Sequence, residues 1–317
     1  MASMVADAWV RFQALEAAFH PHVASTSPFN LSTRDFLEAM WLPLVTTAAY
    51  VGAFSLGIRS MEDAKAWDMR LPLACWNFFL AAFSVCGTAR TLPFLARNVA
   101  TYPFRRSLCH AAADDWGQGR AGLWVQLFIL SKFAELLDTA FIVLRKKRLL
   151  FLHWYHHVTV LLYCWHSYAT EAPHALYFVA MNYAVHSVMY LYYGLMAIDR
   201  KPAWFAPEVV TGAQITQMVV GVGVQYAAAR ARCGVDTLNL LAGSLMYASY
   251  LALFVKFAVE RFVLKSYKRH EVIRAVAGQA RQGQSQWADA MPWTKWLVRG
   301  ISNTIRRVAS FPKMASP

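Results

Sequence analysis

The chain has 317 residues, of which 57% are hydrophobic and 15% charged, with a formal net charge of +13 and a mean hydropathy of +0.31. An ordinary soluble domain carries about 25% charged residues, so the two soluble domains that length alone suggests give way to one polytopic membrane domain. The basic excess sits in short loops and the C-terminal tail, which favours membrane orientation and an anionic small-molecule partner; no nucleic-acid-binding motif is present.

In chain order, residues 1–40 are mixed in polarity, with a helix expected over residues 6–19. Apolar runs long enough to read as membrane spans follow at 41–58, 71–89, 122–144, 149–168, 175–198, 209–229 and 238–259. Residues 90–121, with Pro93, Pro103 and scattered arginines, read as a long polar connection. Counting Lys and Arg in alternate loops puts 20 on one side, in residues 59–70, 145–148, 200–201 and the tail, and nine on the other. The richer side is cytosolic by the positive-inside rule. That predicts a lumenal segment 1–40, a seven-span domain 41–260 and a basic cytosolic tail 261–317. In the tail, Trp293, Trp296, Leu297, Ile301, Ile305 and Val308 recur at helical spacing, a pattern that fits either an interfacial helix or disorder. The five cysteines show no paired spacing, so neither a disulfide framework nor a zinc site is expected. The segment at the N-terminus has no signal-peptide pattern.

Polar groups inside apolar spans are costly and need a reason. The third run carries Lys132, Glu135, Asp138 and Thr139; the first two are i, i+3 neighbours able to pair. Lys132 lies about 20 Å from Arg145 along the helix, near mid-membrane. The fourth run opens with His153, His156 and His157, three imidazoles on one helical face. Arg145-Lys146-Lys147-Arg148 precedes them and suits a membrane surface or a phosphate-rich ligand. His156 then stands roughly 12 Å from Arg148. In the fifth run Asn182, His186, Met189, Tyr190 and Tyr193 form one stripe. In the sixth, Thr211, Gln214 and Gln217 repeat every three residues, as interhelical bonds or substrate contacts. In the seventh, Tyr247 and Tyr250 line a tunnel or pack, while Phe254 and Phe257 read as packing. His166 and His174 read as structural or interfacial.

These residues resemble the ELO family of fatty acid elongases, 3-oxoacyl-CoA synthases of the endoplasmic reticulum. Lys132-x-x-Glu135-x-x-Asp138-Thr139 is similar to its KxxExxDT box and His153-x-x-His156-His157 to its HxxHH box. Asn182-x-x-x-His186-x-x-Met189-Tyr190-x-Tyr192-Tyr193 is similar to NxxxHxxMYxYY, and Thr211-x-x-Gln214-x-x-Gln217 to TxxQxxQ. Order and spacing agree over roughly residues 30–270. The tail, ending Pro312-Lys313-Met314-Ala315-Ser316-Pro317, lacks the dilysine retrieval signal of many relatives.

The resemblance implies an all-α polytopic fold with seven transmembrane helices, spans two to seven forming a barrel around a narrow acyl tunnel and the first span outside. It implies condensation of an acyl-CoA with malonyl-CoA to 3-oxoacyl-CoA, CO2 and CoA. His156 is then the acyl carrier and His186 binds or activates the malonyl unit. His153, His157 and Asn182 orient imidazoles or hold the enolate oxygen. Lys132, Glu135, Asp138, Tyr190, Tyr193, Gln214 and Gln217 support these groups, and Arg145, Lys147 and Arg261 face the CoA phosphates. No metal and no permanently bound cofactor are expected. The implied partners are acyl-CoA, malonyl-CoA, membrane lipid, the downstream reductases and dehydratase of the cycle, and a second copy in a homodimer. The region from His153 to Tyr163 resembles the saturated and mono-unsaturated branch, where Trp154 either narrows the tunnel or faces lipid. The competing enzyme class is a membrane di-iron desaturase or hydroxylase, which also carries HxxHH but uses about eight histidines to supply two irons. A seven-span receptor or transporter leaves three histidines beside a basic patch unexplained.

Overall fold

The structure, a computed structural model, describes residues 10–14, 40–117 and 119–264. Contacts divide the chain into a unit Met1–Lys256, which holds the polar cluster described below, and a unit Phe257–Pro317. Of the second unit only residues 257–264 are described, so the amphipathic pattern of the tail lies outside the described residues, as does most of segment 1–40.

All regular elements among the described residues are helical. They are α1 (Trp41–Ser60), α2 (Arg70–Thr101), α3 (Phe104–Cys109), α4 (Gly119–Glu135), α5 (Leu137–Leu144), α6 (Phe151–Ala169), α7 (Ala175–Ala197), α8 (Pro207–Ala231) and α9 (Thr237–Ala258). A 3-10 turn at Ala112–Asp114, a π-helix at Val259–Leu264 and a helical stretch at 10–14 accompany them. Local chemistry fixes several ends. Pro207 opens α8 at its first turn, where a missing N–H costs nothing, and Arg232 closes it in the left-handed conformation. The Asp236 carboxylate accepts the Asn239 N–H at 2.8 Å and so caps α9.

A helix forms at each of the seven apolar runs, but three are long and apolar enough to cross a membrane: Trp41–Ser60, Arg70–Thr101 and Thr237–Val263. The third run is divided. Helix α4 stops at Glu135 after 17 residues, and α5 restarts at Leu137. At the joint, Leu136 N–H reaches Phe133 O and Thr139 N–H reaches Leu136 O, i→i+3 bonds that tighten the turn beside the charged residues. Imidazoles, amides and tyrosines lower the hydropathy of α6, α7 and α8.

Two expectations are corrected. Residues 90–101 are not part of a polar connection; α2 runs 32 residues through Pro93 to Thr101. Its buried stripe, Asn77, Leu80, Ala81, Ser84, Gly87, Thr91, Leu95 and Asn98, keeps helical spacing past the proline while Arg97 stays exposed, so packing overrides the local break. The cysteines do pair: Cys109, ending α3, and Cys233, in the α8–α9 connection, form a disulfide across 124 residues.

The most extensive helix pair is α2 with α7. A side chain at Gly87 would place its Cβ 2.4 Å from the Tyr183 ring, so glycine there lets α7 seat that tyrosine against α2. Tyr183 then packs edge-on to Phe128 and Trp124 of α4 and bonds the Trp124 carbonyl at 2.9 Å. Helix α1 packs on α5 and α6 and is otherwise exposed, burying Pro43 and Tyr50.

Candidate functional site

The polar residues of α4 through α7 meet in the buried centre of the first unit. Lys132 and Glu135 are both nearly inaccessible, and their side chains bond at 2.7 and 3.0 Å. The Lys132 ammonium also stands 4.0 Å from the Phe128 ring centroid and donates to Asn182 Oδ1 at 3.4 Å. Ser131 Oγ donates to Glu135 Oε1 at 2.9 Å. Because the Asn182 oxygen faces an ammonium, its amide nitrogen faces the other way, 3.2 Å from His186 Nε2. His186 Nε2 is thereby the acceptor, and the neutral ring carries its proton on Nδ1. A carboxylate, an ammonium, an amide and an imidazole thus form one relay from α4 to α7.

A second group centres on Asp138, just past the helix break. Its carboxylate accepts from Trp76 Nε1 of α2 at 2.6 Å and from the Tyr190 hydroxyl of α7 at 3.0 Å. Tyr190 lies edge-on to His186, with centroids 5.3 Å apart. Asp138 therefore anchors α2 and α7 around the α4–α5 joint.

The third group holds the histidine helix. Thr139 Oγ1 is 2.9 Å from His153 Nε2 and 2.7 Å from the Tyr50 hydroxyl of α1. If Thr139 gives its single hydroxyl proton to His153, Tyr50 must donate to Thr139, a directional chain that sets the His153 tautomer. The His153 and His157 rings lie 4.5 Å apart, and His156 and His157 lie 5.6 Å apart. His157 is buried. His156 packs on Tyr250 of α9 at 5.1 Å, and the Tyr250 hydroxyl bonds Thr159 Oγ1 at 2.5 Å and His156 O at 3.3 Å.

The basic turn divides its work. Lys146 has φ +51° and donates to Glu62 O and Ala64 O at 2.9 and 3.0 Å, while Leu144 O accepts the Trp67 N–H at 3.0 Å. The α1–α2 loop is thus tied to this turn. Lys147 and Arg148 are exposed and Arg145 is half-buried.

Of the residues expected in the site, Lys132, Glu135, Asn182 and His186 come together; Asp138 joins Tyr190; and the three imidazoles share one helix. Tyr193 does not join them. It is 47% exposed, its ring edge-on to Tyr192 at 5.5 Å. Gln214 contacts Met189 Sδ at 3.3 Å, and Gln217 is buried on α8. Arg261 is exposed in the π-helix of the second unit. Trp154 packs against Phe54 of α1 and Phe151, at 6.2 and 5.2 Å, so it faces α1. Sequence reading missed Tyr50 and Trp76, lone polar-tipped aromatics in apolar helices with no box around them. Among the described residues, no group of three or more His, Cys, Asp or Glu side chains is arranged to hold a metal ion.

Such an architecture, with every regular element among its described residues helical, three helices long and apolar enough to cross a membrane, and charged and imidazole groups enclosed between apolar helices, defines a membrane protein with a buried polar site. Its family is a matter of direct comparison: residues 35–270 match the family described as ELO: GNS1/SUR4 family, and the chain belongs to it. Among similar proteins, "Very long chain fatty acid elongase 6" of Gallus gallus is 38% identical over 247 residues, 75% of this chain and 91% of that protein. The Homo sapiens protein of the same name is 38% identical over 243 residues, 74% of this chain and 89% of its own. "Fatty acid elongase 1" of Trypanosoma brucei brucei is 41% identical over 221 residues, 67% of this chain and 72% of its own.

Proposed function

We propose that the protein is the condensing enzyme of fatty acid elongation, acting in the endoplasmic reticulum membrane on an acyl-CoA and malonyl-CoA. The observation that carries this reading is the Glu135–Lys132–Asn182–His186 relay, buried beside a helix of three histidines in a chain whose relatives bear elongase names.

A neutral His156 nitrogen attacks the acyl-CoA carbonyl. The C–N bond forms, the C–S bond breaks, and CoA leaves as the thiol with the imidazole proton. Malonyl-CoA then loses CO2, and the electron pair left behind is an enolate. Its α-carbon attacks the acyl-imidazole carbonyl; the C–C bond forms, the C–N bond breaks, and a proton from solvent restores neutral His156. His186 binds or activates the malonyl unit. Asn182, His153 and His157 orient the rings or stabilise the enolate oxygen. Lys132 and Glu135 hold Asn182, Asp138 holds Tyr190, Gln214 supports α7 from α8, and Gln217 supports Tyr247 of α9. Arg145 and Lys147 pair with CoA phosphates; Lys146, engaged by backbone carbonyls, does not.

In this reading seven helices span the membrane, α4 and α5 forming one broken span, with the tail cytosolic. The disulfide supports the orientation. Cys109 and Cys233 fall in loops that charge counting puts on the same, lumenal side, and disulfides persist in that compartment. The substrates are medium or long acyl chains, saturated or mono-unsaturated. The downstream reductases and dehydratase consume the product.

The test uses purified protein, a chelator, acyl-CoA and malonyl-CoA. The expected product is 3-oxoacyl-CoA. Acyl-CoA alone should add an acyl mass to the protein, and His156→Ala should abolish that adduct while His186→Ala keeps it. Stoichiometric iron with activity abolished by chelation would overturn the reading in favour of oxygenase chemistry. An adduct persisting on His156→Ala would move the carrier elsewhere.

A further inference from the structure

The imidazoles of the site are held in different ways. His153 is bonded by Thr139 and His186 by Asn182. The contacts of the His156 ring are to other rings: His157 edge-on at 5.6 Å, and Tyr250 of α9 at 5.1 Å with a tilt of 40°. Among the described residues no carboxylate pairs with it. Tyr250 lies outside all four sequence motifs, and it is 2% exposed.

Tyr250 is fixed from α6. Its hydroxyl is 2.5 Å from Thr159 Oγ1 and donates to the His156 carbonyl at 3.3 Å. The phenol is thus tied to the backbone of the residue whose ring it packs on. Tyr155 stands edge-on to it, with centroids 5.9 Å apart. The Ser249 hydroxyl proton goes to Met246 O at 2.8 Å, so the Tyr155 hydroxyl is the donor in its 2.9 Å bond to Ser249 Oγ. Two bonds from Tyr155 and Thr159, one helical turn apart on α6, therefore meet adjacent residues of α9. His156 lies between them in sequence, and α6 is held there against sliding along α9.

The condensation reading puts a transient positive charge on this ring. When one nitrogen of a neutral imidazole attacks the acyl carbonyl, the other keeps its proton. The ring is cationic until the C–S bond breaks and the departing thiolate takes that proton. A charge that appears away from water is stabilised by whatever group already faces it. Aromatic faces attract cations within about 6 Å of the ring centroid. We propose that Tyr250 is a positioning residue for His156: its hydroxyl fixes the acyl carrier on α6, and its ring stabilises the cationic imidazole of the acyl-transfer step. The proposal rests on the condensation reading above and deepens it by naming what faces the charge on the carrier.

The experiment measures acyl loading of the purified protein by acyl-CoA alone, quenched at intervals and read by intact-protein mass. The probe is the saturated acyl-CoA, from decanoyl to stearoyl, that loads wild type fastest. Position 250 carries tyrosine, phenylalanine, or phenylalanine with one, two or three ring fluorines. Fluorine withdraws π-density and barely changes the shape of the ring. Tyr250→Phe loses both hydroxyl contacts and should load several-fold more slowly than wild type. From there loading should slow with each fluorine, by about 5- to 30-fold at three, the span of one ring–cation contact out of water. The acyl-CoA concentration for half-maximal loading should not move, because the ring acts on His156 and not on the substrate. Thermal midpoints across the fluorinated series should agree within about 3 °C. A packing role alone would leave loading flat across that series, and a flat series overturns the proposal while condensation stands. A Tyr250→Leu protein that loads at the wild-type rate overturns it as well. If wild type forms no adduct and makes no 3-oxoacyl product from any of these acyl-CoAs, the condensation reading fails and takes the proposal with it.

Discussion

Replacing Lys132 by methionine removes the positive charge and keeps most of the volume. The side chains of Lys132 and Glu135 are 2% and 4% exposed, and their closest N···O distance is 2.7 Å. Without the ammonium, the Glu135 carboxylate keeps the Ser131 hydroxyl as a donor but loses the cation compensating its charge. Breaking one partner of a buried pair costs about 3–5 kcal/mol. For a unit of this size about 1 kcal/mol corresponds to a midpoint shift of about 2–4 °C, so the single variant should unfold roughly 6–20 °C lower. The double variant Lys132→Met with Glu135→Met has no orphaned charge and should regain most of that loss, since a buried pair is often replaceable by apolar groups at little cost. Thermal unfolding of detergent-solubilised wild type, both single variants and the double variant measures the cycle. Activity should not follow stability. Asn182 loses its ammonium in the double variant, the amide is free to turn, and His186 loses its fixed donor. A single variant within about 3 °C of wild type, or a double variant as unstable as the single, would refute the claim that this pair is coupled and dry.

Tyr50→Phe removes the hydroxyl behind Thr139 and should cost about 0.5–1.5 kcal/mol in stability. If the hydroxyl orients His153, kcat should fall several-fold at unchanged KM, and the loss should be non-additive with Thr139→Val; additive losses would make Tyr50 a packing residue. Cys109→Ser should destabilise by about 2–5 kcal/mol. In sealed microsomes, a membrane-impermeant reductant should leave Cys109 and Cys233 protected from subsequent thiol labelling until detergent is added, and labelling without detergent would reverse the orientation.

Much of this was legible because charge and imidazole inside an apolar run are conspicuous. Lys132, Glu135, His153, His156, His157, Asn182 and His186 announced themselves by cost, and their spacing placed them on helical faces. The helices were legible wherever apolar length exceeded three turns. What failed was long-range or cooperative. Pro93, Arg90 and Arg97 made the end of α2 look like a loop, whereas burial of Leu95 and Asn98 holds it helical. The joint at Leu136 has no glycine or proline to mark it. Cys109 and Cys233 lie 124 residues apart, and no local pattern brings them together. Tyr50 and Trp76 gain meaning from Thr139 and Asp138, residues on other helices.

The contact between Tyr50 and Thr139 bears on how the molecule can be cut. Its expected architecture, six helices in a ring with a seventh beside them, invites a minimal version that begins at Arg70. Such a truncation would strip Thr139 of its phenol and Trp154 of Phe54, and would uncover His157, whose ring lies 6.4 Å from that of Tyr50. The smallest transplantable piece that keeps the histidine helix in its native surroundings therefore begins with α1. A chimera exchanging that helix between relatives would exchange part of the site's wall along with its anchor.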